Sequence, residues 1–255
     1  MILNALQSGE GSPVVLLHGL FGAARNFGVV QRALSARFRV IALDMRNHGA
    51  SPHGDDMRYA TQAADVLETL DALSTGPAAV IGHSMGGKAA MAVALTQPAA
   101  IGRLLVSDIA PVLYQHGNTG IAAALQALPL TPSLTRAEAD ARLADSVADP
   151  AVRAFLLQNL RFGASAGWRI GLDQIAAAVP DLEGWAPLPG TYDGPTLFVA
   201  GERSDYVRSE DRPTIRTMFP RARFVTLKNA GHWVHADNPA GFLAVVEAFL
   251  QNWKS

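Results

Sequence analysis

A serine and a histidine, each set in a glycine-containing turn and far apart along the chain, are the residues best equipped for chemistry. Ser84 stands in Gly82-His83-Ser84-Met85-Gly86, and His232 in Gly231-His232-Trp233-Val234-His235. A serine hydroxyl is a poor nucleophile at neutral pH unless a base takes its proton during attack. Histidine titrates in the range that suits such a base. A carboxylate usually holds the other ring nitrogen and steadies the imidazolium that forms. The carbonyl oxygen under attack becomes an anion and needs fixed donors, each worth ~2.7–4 kcal/mol of barrier. These residue types predict acyl transfer, with Ser84 as nucleophile and His232 as base.

Such chemistry requires elements that present the hydroxyl. The apolar run Ala78-Ala79-Val80-Ile81 leads into Gly82, and Lys88-Ala89-Ala90-Met91, a helix-forming run, follows Gly86-Gly87. Gly-x-Ser-x-Gly between a strand and a helix is a nucleophile elbow. The turn is tight enough to strain the serine backbone, and glycines on either side leave it room. Ser84 then stands at the carboxyl edge of a sheet beside a helix N-terminus, and the Met85 amide faces the forming oxyanion. A second donor is expected from the loop after the first buried strand, Val14-Val15-Leu16-Leu17. There His18-Gly19-Leu20-Phe21-Gly22 offers the amide of Leu20, with that of Phe21 as the alternative.

Further apolar runs occur at 40–43, 104–106, 196–200 and 223–227, with helix patterns near 26–37, 59–73, 209–218 and 240–252, and a short edge strand at 2–6. Asn26 is a candidate N-cap. This alternation predicts an α/β fold with a doubly wound, mostly parallel sheet. Such sheets bind ligands at the carboxyl ends of their strands, and His18, Asp44, Ser84 and Asp108 all fall there. Between 112 and 185 the strand rhythm stops. Helical spacing takes over at 121–128, 134–147, 151–160 and 168–178. Thr135 with Glu138 reads as a capping box and Asp149-Pro150 as an N-cap followed by proline. The expected organisation is a core of residues 1–111 and 186–255 with a helical cap, 112–185, inserted as a lid.

Composition narrows the function classes. The 255 residues are 49% hydrophobic and 17% charged, with a formal net charge of −1 and no cysteine. That balance argues against nucleic acid and anionic membrane surfaces, and it excludes disulfides and thiol catalysis. No run approaches ~18 apolar residues, and the N-terminus has no signal-peptide pattern, so no stable membrane insertion and a cytoplasmic location are expected. No phosphate-cradling loop is present. His232, His235 and Asp237 imitate a metal-ligand set, but their loop suits a base better; no metal and no cofactor are expected. Of the remaining histidines, His83 must point away from the Ser84 hydroxyl, His18 fixes its own loop, and His235 is structural or pocket-lining. His48, His53 and His116 read as structural. Asp44 and Arg46 are expected to pair with each other or with nearby loop backbone, and Lys88 to pack or form a surface pair.

His18-Gly19, Gly82-His83-Ser84-Met85-Gly86-Gly87 and Gly231-His232 occur in the order of the α/β-hydrolase superfamily, which the chain resembles over nearly its whole length. In detail it resembles the small bacterial YbfF-type esterases. The motifs that carry this likeness are His18-Gly19-Leu20-Phe21-Gly22, Asp44-Met45-Arg46-Asn47-His48-Gly49, Gly82 to Lys88, and Asp108-Ile109-Ala110-Pro111. The resemblance implies an eight-stranded type of sheet, a helical cap, and hydrolysis of short aryl or acyl esters and acyl thioesters.

One departure bears on the acid. Most of the superfamily places it four positions into a Gly-x-x-Asp loop after the penultimate strand; here Gly201-Glu202-Arg203-Ser204 puts Ser204 there. Asp205 is one step late, and a one-residue slip in an extended loop turns a side chain away. Asp108 ends the strand beside the elbow strand, and the YbfF-like group shows the same pattern. Asp108 is therefore assigned as the acid, with Asp205 as the alternative and Ser204 as an auxiliary donor near the histidine. Phe21, Leu113, Phe162, Trp168, Tyr206 and Trp233 are candidate pocket residues for an acyl chain or aromatic ring. The expected partner is a small acyl ester or thioester; the oligomeric state is left open. A cofactor-free perhydrolase or a carbon–carbon bond hydrolase could use the same residues, and a non-catalytic binding protein could share the fold.

Overall fold

The computed structural model describes residues 1–114 and 117–254. His116 therefore lies outside the described residues. Seven strands form one sheet in the order β1-β3-β2-β4-β5-β8-β9. They are β1 (Ala5–Ser8), β2 (Pro13–Leu17), β3 (Arg39–Leu43), β4 (Ala78–His83), β5 (Ile101–Ser107), β8 (Thr196–Gly201) and β9 (Ala222–Leu227). All neighbours run parallel except β1, which pairs antiparallel with β3. The sheet thus has seven strands among the described residues, one fewer than the resemblance implies; a single strand, β1, precedes β2. Both β2 and β4 are buried at every position, as expected for central strands covered on both faces.

Helices α1 (Gly28–Leu34), α2 (Tyr59–Ala72), α3 (Met85–Thr96), α8 (Arg212–Met218), α9 (Val234–Asp237) and α10 (Pro239–Phe249) flank the sheet. Two buried apolar layers result. One holds Val15, Leu17, Val80 and Met91 with α2 and α3; the other holds Val14, Leu16, Ile81 and Leu105 with α1 and α10. α1 is shorter than the periodicity predicts. A 3-10 turn at Ala24–Phe27 precedes it, and Asn26 caps no helix: its Oδ1 closes the turn by accepting the Ala23 amide at 2.6 Å.

Between β5 and β8 the chain leaves the sheet. It forms α4 (Asn118–Gln126), α5 (Arg136–Leu143), α6 (Pro150–Leu156), a two-residue hairpin of β6 (Leu160–Arg161) and β7 (Gly167–Trp168), and α7 (Leu172–Glu183). The capping box at Thr135 and Glu138 forms, and Asp149 accepts the Ala151 amide. The helix expected over 168–178 is displaced. Gly167 and Trp168 pair with Arg161 and Leu160, and the helix starts only at Leu172. Periodicity alone could not separate so short a hairpin from the amphipathic run that follows it.

Polar clasps tie this insert to the core, two of them through side chains of α2 and α3. Lys88, in the first turns of α3 and 1% exposed, sends its ammonium to the carbonyls of Val112, Glu183 and Gly184 at 2.9, 2.9 and 2.6 Å. These carbonyls lie at the two ends of the insert. Of the two roles the sequence offered, packing or a surface pair, the surface pair does not form: Lys88 is a buried brace between the elbow helix and both ends. The second clasp joins Tyr59 Oη to the Leu182 carbonyl at 2.6 Å.

Candidate active site

Strand ends bring the predicted chemistry together. Ser84 lies between β4 and α3 with φ 53° and ψ −121°, a conformation that L-residues hold only when the surroundings impose it. The glycines around it are needed for space. A Cβ on Gly82 would stand 2.2 Å from the Gly86 carbonyl oxygen, and one on Gly86 2.3 Å from that of Leu17. The Ser84 amide is tied to Ser107 O on β5 at 3.0 Å, which fixes the elbow to the neighbouring strand.

His232 comes from the loop between β9 and α9. Its Nε2 lies 3.0 Å from Ser84 Oγ and its Nδ1 2.8 Å from Asp108 Oδ2. Asp108 is completely buried and its other oxygen accepts the Gly201 amide at 2.9 Å. The Ser204 hydroxyl also donates to Asp108 Oδ2. Asp108 thus accepts from Gly201 N–H and the Ser204 hydroxyl, Nδ1–H of His232 donates to the same Oδ2, and the Nε2 lone pair faces the serine. Asp108 has φ 52°, and its amide bonds Val199 O at 2.8 Å. Asp205, the alternative acid, is exposed and makes no hydrogen bond to His232. One residue of slip in the β8 exit loop gives Ser204 to Asp108 and Asp205 to solvent.

Three aromatic neighbours confine the imidazole. The Tyr206 ring stacks on it at 3.9 Å with 20° between planes, Trp233 meets it at 5.7 Å and His83 at 4.8 Å. His83 points away from the serine hydroxyl, and its Nε2–H donates to the His232 carbonyl at 2.8 Å. The loop is closed further by Asp237, whose Oδ2 accepts the Gly231 amide at 2.7 Å.

The loop after β2 lies opposite. His18 donates from Nδ1 to Gly19 O and accepts the Met45 amide at Nε2, both within 2.9 Å. Burial pushes its pKa down to about 4, consistent with a neutral ring whose nitrogens play one role each. His48 repeats the pattern: Nδ1–H goes to Arg46 O at 2.8 Å and Nε2 accepts the Phe21 amide at 3.1 Å. Burial holds it at about 3. The Phe21 amide is thus occupied. The Leu20 amide and the Met85 amide, which opens α3, have no hydrogen-bond partner among the described residues. Asp44 accepts the Ala24 and Ala50 amides at 2.7 and 2.9 Å and the Asn4 side chain at 2.8 Å. Arg46 pairs with Asp65 rather than with Asp44.

Around Ser84 lies a cavity of about 220 Å³. Of the candidate pocket residues Phe21, Tyr206 and Trp233 line it, beside Leu20 and Met85; Val152, Phe155 and Leu156 from α6, with Ile109 and Ile121, add to its apolar wall. Three predicted pocket residues do not belong to it. Leu113 is 68% exposed, Phe162 packs against the core without reaching the cavity, and Trp168 lines a separate shallow groove with Leu128 and Ile170. The last follows the displaced helix: Trp168 sits in the hairpin rather than on a helix over the strand ends. Phe155 gives no sequence signal beyond an apolar position on a helix, so its role at the wall was not foreseeable. Asn118 and Glu183 add a polar patch, with Asn118 Nδ2 donating to Glu183 Oε1 at 2.9 Å. Among the described residues no group of three or more His, Asp or Glu side chains could hold a metal ion, and no helix is long and apolar enough to cross a membrane.

A profile of the Alpha/beta hydrolase family matches residues 14–245. The chain belongs to this family. The sn-1-specific diacylglycerol lipase ABHD11 of Danio rerio is 40% identical over 253 residues, which span 95% of this chain and 80% of that protein. Esterase YbfF of Escherichia coli (strain K12) is 38% identical over 244 residues, spanning 95% of this chain and 94% of its own length. Among solved structures, a marine microorganism esterase superposes with a TM-score of 0.94 at 35% identity, covering 98% of this chain and 99% of that one. In this α/β-hydrolase the hydroxyl, imidazole and carboxylate converge at the carboxyl edge of the sheet, where the elbow geometry requires them.

Proposed function

We propose that this carboxylesterase-type hydrolase cleaves short-to-medium acyl or aryl esters, and acyl thioesters, through an acyl-enzyme on Ser84. As Ser84 Oγ attacks the carbonyl carbon, its proton passes to His232 Nε2 and the carbonyl π pair moves onto oxygen. Asp108 holds the imidazolium by its Nδ1–H. The amides of Leu20 and Met85 take the oxyanion. Collapse of this intermediate expels the alcohol or thiol, which receives the proton from His232. Water, deprotonated by the same imidazole, then attacks the acyl carbon and releases the acid and Ser84.

A single observation carries this reading: the unbroken chain from Asp108 Oδ2 to His232 Nδ1 at 2.8 Å and from His232 Nε2 to Ser84 Oγ at 3.0 Å, opening into an apolar cavity. At about 220 Å³ that cavity falls below the ~300–1,000 Å³ of typical ligand sites, which favours a short acyl group. The segment 112–185 acts as a cap, since α6 supplies part of the cavity wall. The test is a graded series of p-nitrophenyl esters and acyl thioesters, together with fluorophosphonate labelling. Turnover that declines with acyl length, and labelling lost in Ser84→Ala, is the expected result. Labelling that persists in that variant, or an absence of turnover on every ester and thioester, overturns the reading.

A further inference from the structure

Both backbone polar groups of one residue beside the cavity are held by side chains from elsewhere. Phe21 follows Leu20, whose amide is the oxyanion donor of the reading above, and it has a positive φ of 59°. Its N–H donates to His48 Nε2 at 3.1 Å. Its C=O accepts Asn159 Nδ2–H at 2.7 Å. Asn159 is 2% exposed and lies in the insert, just before β6. It is fixed in turn, because its own carbonyl accepts the Arg169 amide at 2.7 Å across the β6–β7 hairpin. Its neighbour Gln158 grips the same loop twice: its carbonyl accepts Arg25 Nη2 at 3.0 Å and its Oε1 accepts Asn26 Nδ2 at 3.3 Å.

We infer that Asn159 is a positioning residue for catalysis: from the insert, it sets the direction of the Leu20 amide by holding the Phe21–Gly22 peptide, whose Gly22 N–H donates at 3.0 Å to Gly19 O, the carbonyl of the peptide that carries the Leu20 N–H. The physical need is plain. A lone residue at positive φ can relax by rotating the peptides that flank it; were the Phe21–Gly22 peptide to turn, Gly22 N–H would leave Gly19 O and free the peptide that carries the Leu20 amide. Oxyanion donors act through fixed direction, and removing one costs about 10²–10³-fold in kcat. Displacement by ~1 Å can cost 10²-fold. The small hairpin thereby gains a function: it stiffens the residue that stiffens the donor loop. The insert then does more than line the cavity, since it completes the geometry at the reacting atoms.

This inference rests on the ester-cleavage reading, and the two fail differently. Asn159→Ala and Asn159→Asp are compared with the parent on a short p-nitrophenyl ester, with a trifluoromethyl ketone as a probe that forms an oxyanion on Ser84. Both variants are expected to lose about 10- to 100-fold in kcat/KM, carried by kcat. Ketone affinity falls by a similar factor while KM stays within about threefold. Asp keeps the shape of Asn but sets oxygen against the Phe21 carbonyl, so it fares no better than Ala. Melting temperature identifies damage to the fold, and Asp serves if Ala does not fold. A loss confined to KM, unchanged ketone affinity, or full activity in the Asp variant overturns the inference. Persistent ester cleavage in Ser84→Ala overturns instead the reading beneath it.

Discussion

The edge of the sheet and the helical insert meet around one cavity, but they are built on opposite principles. At the edge, Phe21, Ser84 and Asp108 all have positive φ without being glycine. Each is locked by hydrogen bonds to a neighbouring strand or loop. Strain of that kind costs roughly 1–3 kcal/mol per residue and persists only where the surroundings over-determine it. The insert carries no such outlier among its described non-glycine residues. Two of its helices, α5 and α6, start on side-chain caps at Thr135 and Asp149, and α6 contributes apolar side chains to the wall. What the insert needs is attachment, supplied by Lys88, Tyr59 and Asn159. Substitutions at the edge should therefore strike kcat. Those on the insert wall should strike KM, and those at the clasps should strike stability, with Asn159 the point where the categories cross.

The sharpest way to break this division is at the edge itself. Ser84→Ala is expected to lower kcat by roughly 10⁶-fold with an unchanged melting temperature, the scale seen when a serine nucleophile is removed. Steady-state kinetics and a thermal melt together check it. A hundredfold loss or less would mean that another group can attack.

Next in size is the contrast between the two aspartates. Asp108→Asn preserves shape but gives His232 Nδ1 a donor where it needs an acceptor. In a serine protease the equivalent change costs ~10⁴ in kcat, and a similar loss is expected here. Asp205→Asn should stay within a few-fold, because its side chain is exposed. Kinetics on both variants decide between the acids; a crippling effect at Asp205 would move the acid to the β8 exit.

Third is the largest clasp. Lys88→Met removes the donor for three buried carbonyls. An unsatisfied buried group costs about 1–3 kcal/mol, and three carbonyls lose their donor together, so a loss of about 3 kcal/mol or more is expected. For a chain of this size that is a fall of roughly 10 °C in melting temperature, read by calorimetry. A large loss of kcat with no thermal effect would erase the distinction between edge and clasp.

How much of this could be read from the residues follows the same division. Central strands are buried on both faces and announce themselves as unbroken apolar runs, so β2, β3, β4 and β8 were legible, as was the Gly82–Gly86 elbow. Asp108 could be weighed against Asp205 because a one-residue offset in an extended loop reverses a side chain. The insert was legible only where local chemistry is strong, at Thr135-Glu138 and Asp149-Pro150. Its hairpin pairs only two residues on each side, too few to leave a pattern, while the start of α7 and the roles of Phe155 and Asn159 depend on Asn47, Trp233 and Phe21, far away along the chain. Nothing in their own neighbourhood marks them. The partners of Lys88 were hidden for the same reason: a lysine beside two glycines can be read as packing, but gives no sign that three distant carbonyls await it.

A smaller effect tests the wall. Phe155 packs its ring 5.8 Å from that of Trp233 at the cavity. Phe155→Ala should forfeit roughly 1 kcal/mol of binding shared by substrate and transition state, raising KM about fivefold with kcat nearly constant. A graded acyl series sharpens it, since longer chains should lose more. A fall in kcat with KM unchanged would place Phe155 with the edge.

The smallest predicted effect concerns acid stability, and it too separates the regions. Burial holds His18 and His235 at about 4 and His48 at about 3, all below the free value near 6.5. Below pH 6.5 the unfolded chain takes up protons that the folded chain refuses until about pH 4. Stability is thus fully present above pH 6.5 and declines as pH falls toward 4. The urea midpoint should drop across that window, and the residues responsible lie at the sheet edge and the His232 loop. His235 stacks on Phe27 at 4.7 Å, and its buried Nδ1 has no partner. His235→Phe keeps an aromatic ring there and removes both the orphaned nitrogen and the titration. Its stability at pH 7 should match the parent within about 1 kcal/mol, and it should exceed the parent at pH 5. An equal acid slope in both proteins would show that the proton uptake lies elsewhere.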